Sequence, residues 1–250
     1  MPNIENRLLA SLPPAEYRRI EPHLQSYDMR AGEELHQKAG ASPYVFFPLD
    51  AVASLMVTLA DGSTVEAATV GHEGMVGLPL FVTSEAVAIQ AFTQVPGRGL
   101  RMSRSVLRAE LRRDEALCHR LHEYTEALLL FIAQTSACNK LHTQKARCAR
   151  WLLLIHDRVG RDTFTLTHTF LAMMLGVRRA TVTVVAGELR SRNLISYKKA
   201  VIRIVDREGL EEAACECYAV LRNEFDTLFS GPSANPLRAA KPLVRASATK

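Results

Sequence analysis

Residues 171–195, with the sequence LAMMLGVRRATVTVVAGELRSRNLI, constrain the fold of this chain more tightly than any other stretch. Their apolar side chains recur at helical spacing, yet Gly176 interrupts the run. Glycine readily adopts the left-handed backbone that ends one helix and turns the chain toward another. Residues suited to fill the space between two crossing helices are Leu171, Ala172, Leu175, Val177, Val182 and Val185. The pattern therefore predicts a helix-turn-helix, with a second helix over about residues 179–191 set at a steep angle to the first.

The start of this predicted second helix is basic and polar on its outward side. In helix-turn-helix proteins that end enters the major groove of DNA, where an arginine can donate two hydrogen bonds to one guanine. Thr167 is placed to cap the first helix. The candidate DNA-binding residues are Thr167, Arg178, Arg179, Thr181 and Thr183. A helical hairpin whose arginines only face solvent is the alternative.

The segment SYKKAVIRIV at 196–205 has the alternation that is typical of a β-hairpin, with a predicted turn at Lys198-Lys199. A hairpin beside a helix-turn-helix is a wing, and its basic residues can contact phosphates, which position a domain without reading bases. The candidate phosphate contacts are Tyr197, Lys198, Lys199 and Arg203.

Short β-rich runs separated by turn signals dominate the chain from about residue 27 to residue 104. They are YVFFPL at 44–49, AVASLMVTL at 51–59, STVEAATV at 63–70 and VAIQAFTQV at 87–95. Asp61-Gly62 is a strong hairpin signal, because both turn positions tolerate positive φ. Strands at this spacing predict an antiparallel sandwich or barrel, and the fold class is therefore α+β with an N-terminal, jelly-roll-like β-roll.

From residue 114 to about residue 141 the periodicity becomes helical. Side chains spaced alternately four and three residues apart form a heptad seam, which is typical of a helix that pairs along its length. We interpret this segment as a dimerisation helix, and packing of the helix on its own domain is the alternative. The predicted dimer contacts are Leu117, Leu121, Tyr124, Leu128, Phe131 and Thr135. A second helix is predicted over about residues 143–159.

Basic residues are concentrated in the second half of the chain. The net charge is +5, but residues 141–207 alone hold thirteen Lys and Arg against four Asp and Glu. This block favours a polyanionic partner, with a solvated basic face as the alternative. No apolar run reaches the ~20 residues of a membrane span, and the first residues lack the apolar core of a secretory signal. We therefore expect a cytoplasmic protein with no membrane partner.

Neither a metal site nor a catalytic site is predicted, and no cofactor is expected. The five cysteines lack zinc-type CxxC pairing and are Cys118, Cys138, Cys148, Cys215 and Cys217. Cys215 and Cys217 fall on a predicted helix, where residues two apart point in different directions. His36, His72 and Glu73 are scattered through the roll, and no GxSxG, P-loop, HExxH or dinucleotide motif occurs. A small-molecule- or metal-binding β-roll enzyme with an accessory helical domain is the alternative function.

The order of these segments resembles the CRP/FNR superfamily of bacterial transcription regulators over about residues 15–228. The most specific segments are TVGHEGMVGLPLF (69–81), ARWLLLIHDRVG (149–160) and LTHTFLAMMLGVRRATVTVVAGELRSRNLI (166–195). The resemblance implies a cyclic-nucleotide-binding-like effector roll at 1–113, a dimerisation helix at 114–141 and a winged helix-turn-helix at 142–230. We expect the tail at 231–250 to be disordered. The resemblance also implies a homodimer on a palindromic DNA site, with RNA polymerase as a further partner.

The chain departs from the superfamily pattern where an effector would bind. Members that bind cyclic AMP carry a glutamate and an Arg-Ser pair after the glycine of the phosphate cassette. Here Gly77 precedes Leu-Pro-Leu, and no arginine lies between Gly71 and Pro96. A cyclic phosphate would lack its charge-assisted partner, so no cyclic-nucleotide binding is predicted. No cysteine precedes Cys118, so the N-terminal ligands of the iron–sulfur members are missing as well.

The predicted recognition helix also differs from the superfamily pattern. Arg179 matches the arginine that reads guanine, but Ala180 replaces a glutamate that often follows it and Val184 replaces a later arginine. The preferred DNA sequence should therefore differ from the best-known sites of the superfamily.

Overall fold

The computed structural model describes residues 4–36, 42–77, 89–113 and 115–230. The predicted tail at 231–250, and the stretch 78–88 on which part of the cyclic-nucleotide prediction depends, lie outside the described residues. The described chain contains an N-terminal β-roll, a long central helix and a C-terminal helical domain with a small sheet. This confirms the predicted α+β class.

The β-roll consists of two antiparallel sheets. Its strands within the described ranges are β1 (Gln25–Met29), β2 (Glu34–His36), β3 (Tyr44–Pro48), β4 (Val52–Thr58), β5 (Thr64–Val70), β6 (Ile89–Val95) and β7 (Gly97–Ser103). One sheet has the order β1-β7-β3 and the other the order β2-β6-β4-β5. Two short helices and a 3-10 turn precede them: α1 (Arg7–Ala10), α2 (Pro14–Ile20) and Glu21–His23. Each of the four predicted runs contains one strand, from β3 to β6.

The β4–β5 hairpin forms as predicted, but its connection is longer than a two-residue turn. The Leu59 N–H donates to the Ser63 carbonyl at 2.8 Å, so residues 59–63 close the loop. Gly62 has a φ of 82°, whereas Asp61 has no positive φ. Asp61 Oδ1 instead accepts hydrogen bonds from the N–H and hydroxyl of Ser63, at 2.9 and 2.6 Å. The aspartate therefore stabilises the loop through its side chain.

The predicted long helix is present, but its heptad seam faces the interior of the same chain. Helix α4 (Glu115–Leu141) follows the short α3 (Arg104–Leu111). The six residues predicted to contact a partner are all buried in the single chain: Leu117, Leu121, Tyr124, Leu128, Phe131 and Thr135. The interpretation of the seam as a dimer contact is corrected, and the alternative, a helix packed on its own chain, is what the structure shows.

Helix α9 (Cys217–Ser230) and the roll cover this seam. The ring centroid of Phe225 lies 6.4 Å from that of Tyr124 and 6.1 Å from that of Phe131. On the roll side, the Tyr124 ring packs so closely on Gly74 that no side chain fits at the glycine. A heptad pattern shows that one face of a helix is buried, but it does not show what covers that face.

The C-terminal domain consists of helices around a three-stranded sheet of order β8-β10-β9. Its elements before α9 are α5 (Gln144–Val159), β8 (Thr163–Thr165), α6 (His168–Leu175), α7 (Arg179–Ser191), β9 (Ile195–Lys198), β10 (Val201–Ile204) and α8 (Arg207–Ala213). Strand β8 was not predicted, because three residues are too few for a periodic signal. Within the described ranges no single helix is long and apolar enough to cross a membrane. Helices α6 and α7 reach the length and hydrophobicity of a membrane span only when they are taken together, and they are bent by 103° relative to each other.

The helical domain packs directly against the roll. The Trp151 indole N–H donates to Glu66 Oε1 at 2.8 Å. The Arg158 guanidinium lies 2.8 Å from Glu73 Oε1 and also donates to the Thr69 hydroxyl at 2.8 Å. All five side chains are buried, and one hydrophobic core runs from the roll through α4 into the helical domain. The orientation of the helix-turn-helix is therefore set by contacts with the roll.

Candidate nucleic-acid interface

The predicted cap and turn of the helix-turn-helix are confirmed. The Thr167 hydroxyl accepts a hydrogen bond from the Phe170 N–H at 3.1 Å and so caps α6. Gly176 ends α6 with φ 62° and ψ 39°, and the Val177 N–H then donates to the Ala172 carbonyl at 3.0 Å. Because the chain turns here, α7 begins at Arg179 and leaves α6 at an angle of 103°.

The predicted apolar positions fill the space between α6 and α7. Those that are buried are Leu171, Ala172, Leu175, Val182 and Val185, while Val177 is half-buried. Packing on this side directs the polar residues at the start of α7 outward. Arg178, Arg179 and Thr183 are exposed, and Thr181 is half-buried. The structure therefore brings three of these four candidates to solvent at one end of the helix.

A stacked ring pair that the sequence did not predict joins α6 to the wing. The rings of His168 and Tyr197 stack with centroids 4.5 Å apart, and His168 Nδ1 lies 3.1 Å from the Thr183 hydroxyl. Burial and the nearby Arg179 guanidinium lower the pKa of His168, which favours the neutral ring. The Tyr197 hydroxyl, predicted to contact phosphate, donates instead to the Leu166 carbonyl at 2.8 Å. No periodicity in the sequence signals a contact between two such distant rings.

Two small apolar residues lie on the outward face of α7 and were not among the predicted contacts. Val184 is 61% exposed, and Ala180 on the preceding turn is also exposed. An apolar side chain at such a position can contact the methyl group of thymine in the major groove. The same face therefore offers hydrogen-bond donors at Arg179 and apolar contacts beside them.

The wing turn lies one residue later than predicted. Strand β9 ends at Lys198, and the turn residues are Lys199 and Ala200, with φ of 48° and 64°. Positive φ at both positions is typical of a type I′ hairpin turn. Lys198, Lys199 and Arg203 are all exposed, so the wing presents three positive charges to solvent.

The β4–β5 loop of the roll lies beside the turn between α6 and α7. A Cβ placed on Gly176 would lie 3.4 Å from a methyl group of Val65. An open groove separates the two elements, lined by Leu59 and Ser63 of the loop and by Arg178 and Thr181 of the helix-turn-helix. A duplex seated on the first turn of α7 would share this groove with the loop.

Part of the basic block at 141–207 is internal. Arg147, Arg150 and Arg158 on α5 are buried. Arg147 donates to the Leu175 carbonyl, and Arg150 donates to the Thr135 hydroxyl at 3.3 Å. The positive charge that reaches the surface is therefore smaller than the sequence total, and it includes the start of α7 and the wing.

The roll residues considered as metal ligands do not converge. Glu73 pairs with Arg158, and His72 Nδ1 lies 3.3 Å from the Arg158 carbonyl. Burial alone would raise the pKa of Glu73, but the Arg158 guanidinium holds it below its ordinary value. His72 and Glu73 therefore form part of the contact between the roll and the helical domain.

Comparison with known proteins agrees with this geometry. Residues 146–213 match the Crp-like helix-turn-helix domain family. FixK2 from Bradyrhizobium japonicum superposes with a TM-score of 0.64 at 18% identity, over 77% of this chain and 98% of that one. A CRP/FNR-family transcriptional regulator from Thermus thermophilus gives 0.60 at 22% identity, over 76% and 98%. The c-di-GMP responsive global regulator CLP of Xanthomonas campestris gives 0.61 at 13% identity, over 77% and 99%. No curated protein matches in sequence.

Residues 146–213 therefore form a Crp-like helix-turn-helix domain, and the chain has the fold of CRP/FNR-family transcription regulators. The domain match and the shared fold agree with the resemblance that the sequence motifs carry.

Proposed function

We propose that this protein is a homodimeric transcription regulator that binds a palindromic DNA site in the cytoplasm and is not an enzyme. An effector roll spans 1–113, a helix at 114–141 joins the protomers, and residues 142–230 bind DNA. The observation that carries the proposal is the exposure of Arg178, Arg179 and Thr183 at the start of α7, on a helix-turn-helix with both caps in place.

The roles of these residues follow from their positions. Arg179 donates to guanine in the major groove, and Ala180 and Val184 contact thymine methyl groups. Lys198, Lys199 and Arg203 on the wing, together with Arg178 and Thr167, contact phosphates. Thr183 is held by His168 and orients the start of the helix.

The homodimer forms through the outer face of α4, because the inner face is covered by α9. Six of the exposed residues of α4 repeat at spacings of four and three: His122, Glu126, Leu129, Ala133, Ser136 and Lys140. Leu129 lies at the centre of this outer stripe and is 62% exposed. Pairing along the stripe places two copies of α7 on half-sites about 34 Å apart.

The roll does not respond to cyclic AMP. Besides the missing arginine between Gly71 and Pro96, the Arg158 side chain packs on Gly71 and Tyr124 packs on Gly74. These protein side chains take up space at the start of the cassette. CLP is c-di-GMP responsive by name, so regulators of this fold need not respond to cyclic AMP.

The contact between roll and helical domain holds a state of low DNA affinity. The β4–β5 loop shares its groove with Arg178 and Thr181, so DNA reaches the first turn of α7 only when the loop moves away. An effector that loosens this contact shifts the population toward the binding-competent form. RNA polymerase is the partner that the bound dimer would then contact.

Selection of bound duplexes from a random pool tests the function. We expect enrichment of an inverted repeat, bound with an affinity that falls steeply as salt rises, because condensed counterions are released. Lys198→Ala should weaken binding to the selected site and to random duplex by similar factors. Failure to enrich any sequence, or an affinity insensitive to salt, would contradict the proposal.

A further inference from the structure

Three cysteines and one histidine converge where α4, α5 and α9 meet, outside the DNA-binding face. Cys138 lies in the last turn of α4 and His142 follows one turn later. Cys215 lies in the connection between α8 and α9, and Cys217 is the first residue of α9. One ligand atom from each of the four residues can be chosen so that all lie within 4.8 Å of one another.

The two thiols of the CxC segment converge because Cys215 is not helical. Ala214 has an extended backbone with ψ 168°, which ends α8, and α9 begins only at Cys217. The helix expected through this pair is therefore not present, since α8 ends before Cys215 and the chain turns between the two residues.

The separations fit tetrahedral coordination. Cys138 Sγ lies 3.5 Å from Cys215 Sγ, and Cys217 Sγ lies 3.5 Å from His142 Nδ1. With zinc–sulfur bonds of about 2.3 Å and a zinc–nitrogen bond of about 2.0 Å, tetrahedral ligands stand about 3.5 to 3.8 Å apart. The remaining pairs of ligand atoms lie within 4.8 Å of one another.

The surroundings of the cluster orient its ligands. His142 Nε2 lies 3.1 Å from Glu216 Oε1, so the carboxylate can hold Nδ1 toward the thiols. Gln134 donates to Cys217 Sγ at 3.0 Å. If these cysteines served only as small apolar core residues, they would need neither the His142 imidazole beside them nor the Glu216 carboxylate that holds it.

From this geometry we infer that Cys138, His142, Cys215 and Cys217 form a binding site for one thiophilic divalent cation of the zinc class. Thiolate and imidazole ligands select such ions, and in a reducing compartment clustered cysteines hold metals rather than disulfides. Binding displaces the thiol protons to solvent. The bound ion ties the end of α4 to the start of α9, the helix that covers the inner face of α4.

The test uses the full chain, purified under reducing conditions and freed of metal with a chelator. Titration with Co²⁺ should produce the thiolate charge-transfer and intense visible bands of tetrahedral cobalt at one equivalent, and Zn²⁺ should abolish them. Cys217→Ser should abolish stoichiometric binding. Glu216→Gln, at an exposed position, should weaken it about tenfold, because it removes only the partner of the histidine.

Cys118→Ser is the matched control, because its thiol also lies near a histidine, 3.9 Å from His122 Nδ1, yet outside the cluster. It should bind Co²⁺ as the unaltered chain does. Absence of the bands in the unaltered chain would overturn the inference without any variant. Bands that persist in Cys217→Ser, or that disappear in Cys118→Ser, would overturn it too.

Discussion

A single arginine at the start of α7 carries most of the proposed sequence recognition. Arg179 is exposed, and its backbone is fixed by the Gly176 turn and by burial of Val182 behind it. Because the side chain is carried by a rigid helix, binding to a base costs little conformational entropy of the backbone. Specificity should therefore be concentrated at one or two base pairs.

Arg179→Ala should lower the affinity for the selected site by about 1–3 kcal/mol and relax the preference at one base position. Fluorescence anisotropy with duplexes varied at each position measures both effects. Arg192→Ala is the control, since that exposed arginine caps the far end of α7 and should change affinity little. An equal loss on selected and random duplexes would show that Arg179 contacts only phosphate.

The wing turn contains a local strain that one substitution can relieve. Ala200 has a φ of 64°, which disfavours any residue with a Cβ, and glycine is preferred at this position of a type I′ turn. Ala200→Gly should raise the free energy of unfolding by about 0.5–1 kcal/mol. Ala180→Gly in α7 should lower it by about 1 kcal/mol, because glycine is unfavourable within a helix. Chemical denaturation of both variants measures these changes in the free energy of unfolding. A loss of stability in Ala200→Gly would argue against the strain.

At the scale of elements, α4 has one face that packs within its own chain and another that is free to pair with a second copy. Its inner face is part of the core of the chain, and its outer stripe is the surface left for a partner. Leu129→Lys should therefore convert the proposed dimer to a monomer while leaving thermal stability nearly unchanged, as sedimentation and thermal melts would show. Leu128→Asp should instead unfold the chain, because Leu128 is only 8% exposed.

Leu59→Lys is the control for this prediction, since Leu59 is an exposed leucine of the β4–β5 loop and is not part of the outer stripe. It should leave the oligomeric state unchanged. A dimer that survives Leu129→Lys would contradict pairing through the outer stripe.

The sequence predicts elements well where the determinant is local, and poorly where it is a contact between distant segments. Thr167 and Gly176 act within a few residues, so both ends of α6 could be placed from the sequence. The burial of Tyr124 depends on a helix about a hundred residues further along the chain, which periodicity cannot identify. The convergence of Cys215 with Cys138 depends on the extended backbone at Ala214, inside what reads as one helix.

At the scale of the whole molecule, the buried contact between roll and helical domain makes stability depend on pH. Burial raises the pKa of the Glu66 carboxyl to about 7, although Ser54, Trp151 and two arginines oppose the shift. A raised folded-state pKa stabilises the fold below the unfolded value of 4.5, and this contribution is lost as pH rises through about 7.

Replacing the Glu66 carboxyl by an amide should remove this contribution to the pH dependence of stability. The stability difference between the unaltered chain and Glu66→Gln should shift by about 2–3 kcal/mol in favour of the amide between about pH 5 and pH 8. Chemical denaturation across that range measures it. A constant difference would mean that Glu66 stays ionised in the folded chain.

Breaking the ion pair between the domains should raise DNA affinity. Glu73→Gln leaves the buried Arg158 without its carboxylate, so the closed arrangement loses stability. We expect about tenfold tighter binding to the selected site. Glu5→Gln, which weakens an exposed ion pair with Arg98, is the control and should have no effect. Weaker binding by a folded Glu73→Gln would show that the closed arrangement is the active one.

The burial of Arg158 against Glu73 also determines how the two domains can separate. A half-opened interface would leave a guanidinium and a carboxylate each without water and without its counter-ion, which is the least favourable arrangement available to them. In the opening proposed above, intermediate positions would therefore be disfavoured, and the two domains would be either in contact or apart. In a regulator that opens in this way, each molecule would be either closed or open. A rising effector concentration would then change only the fraction of open molecules.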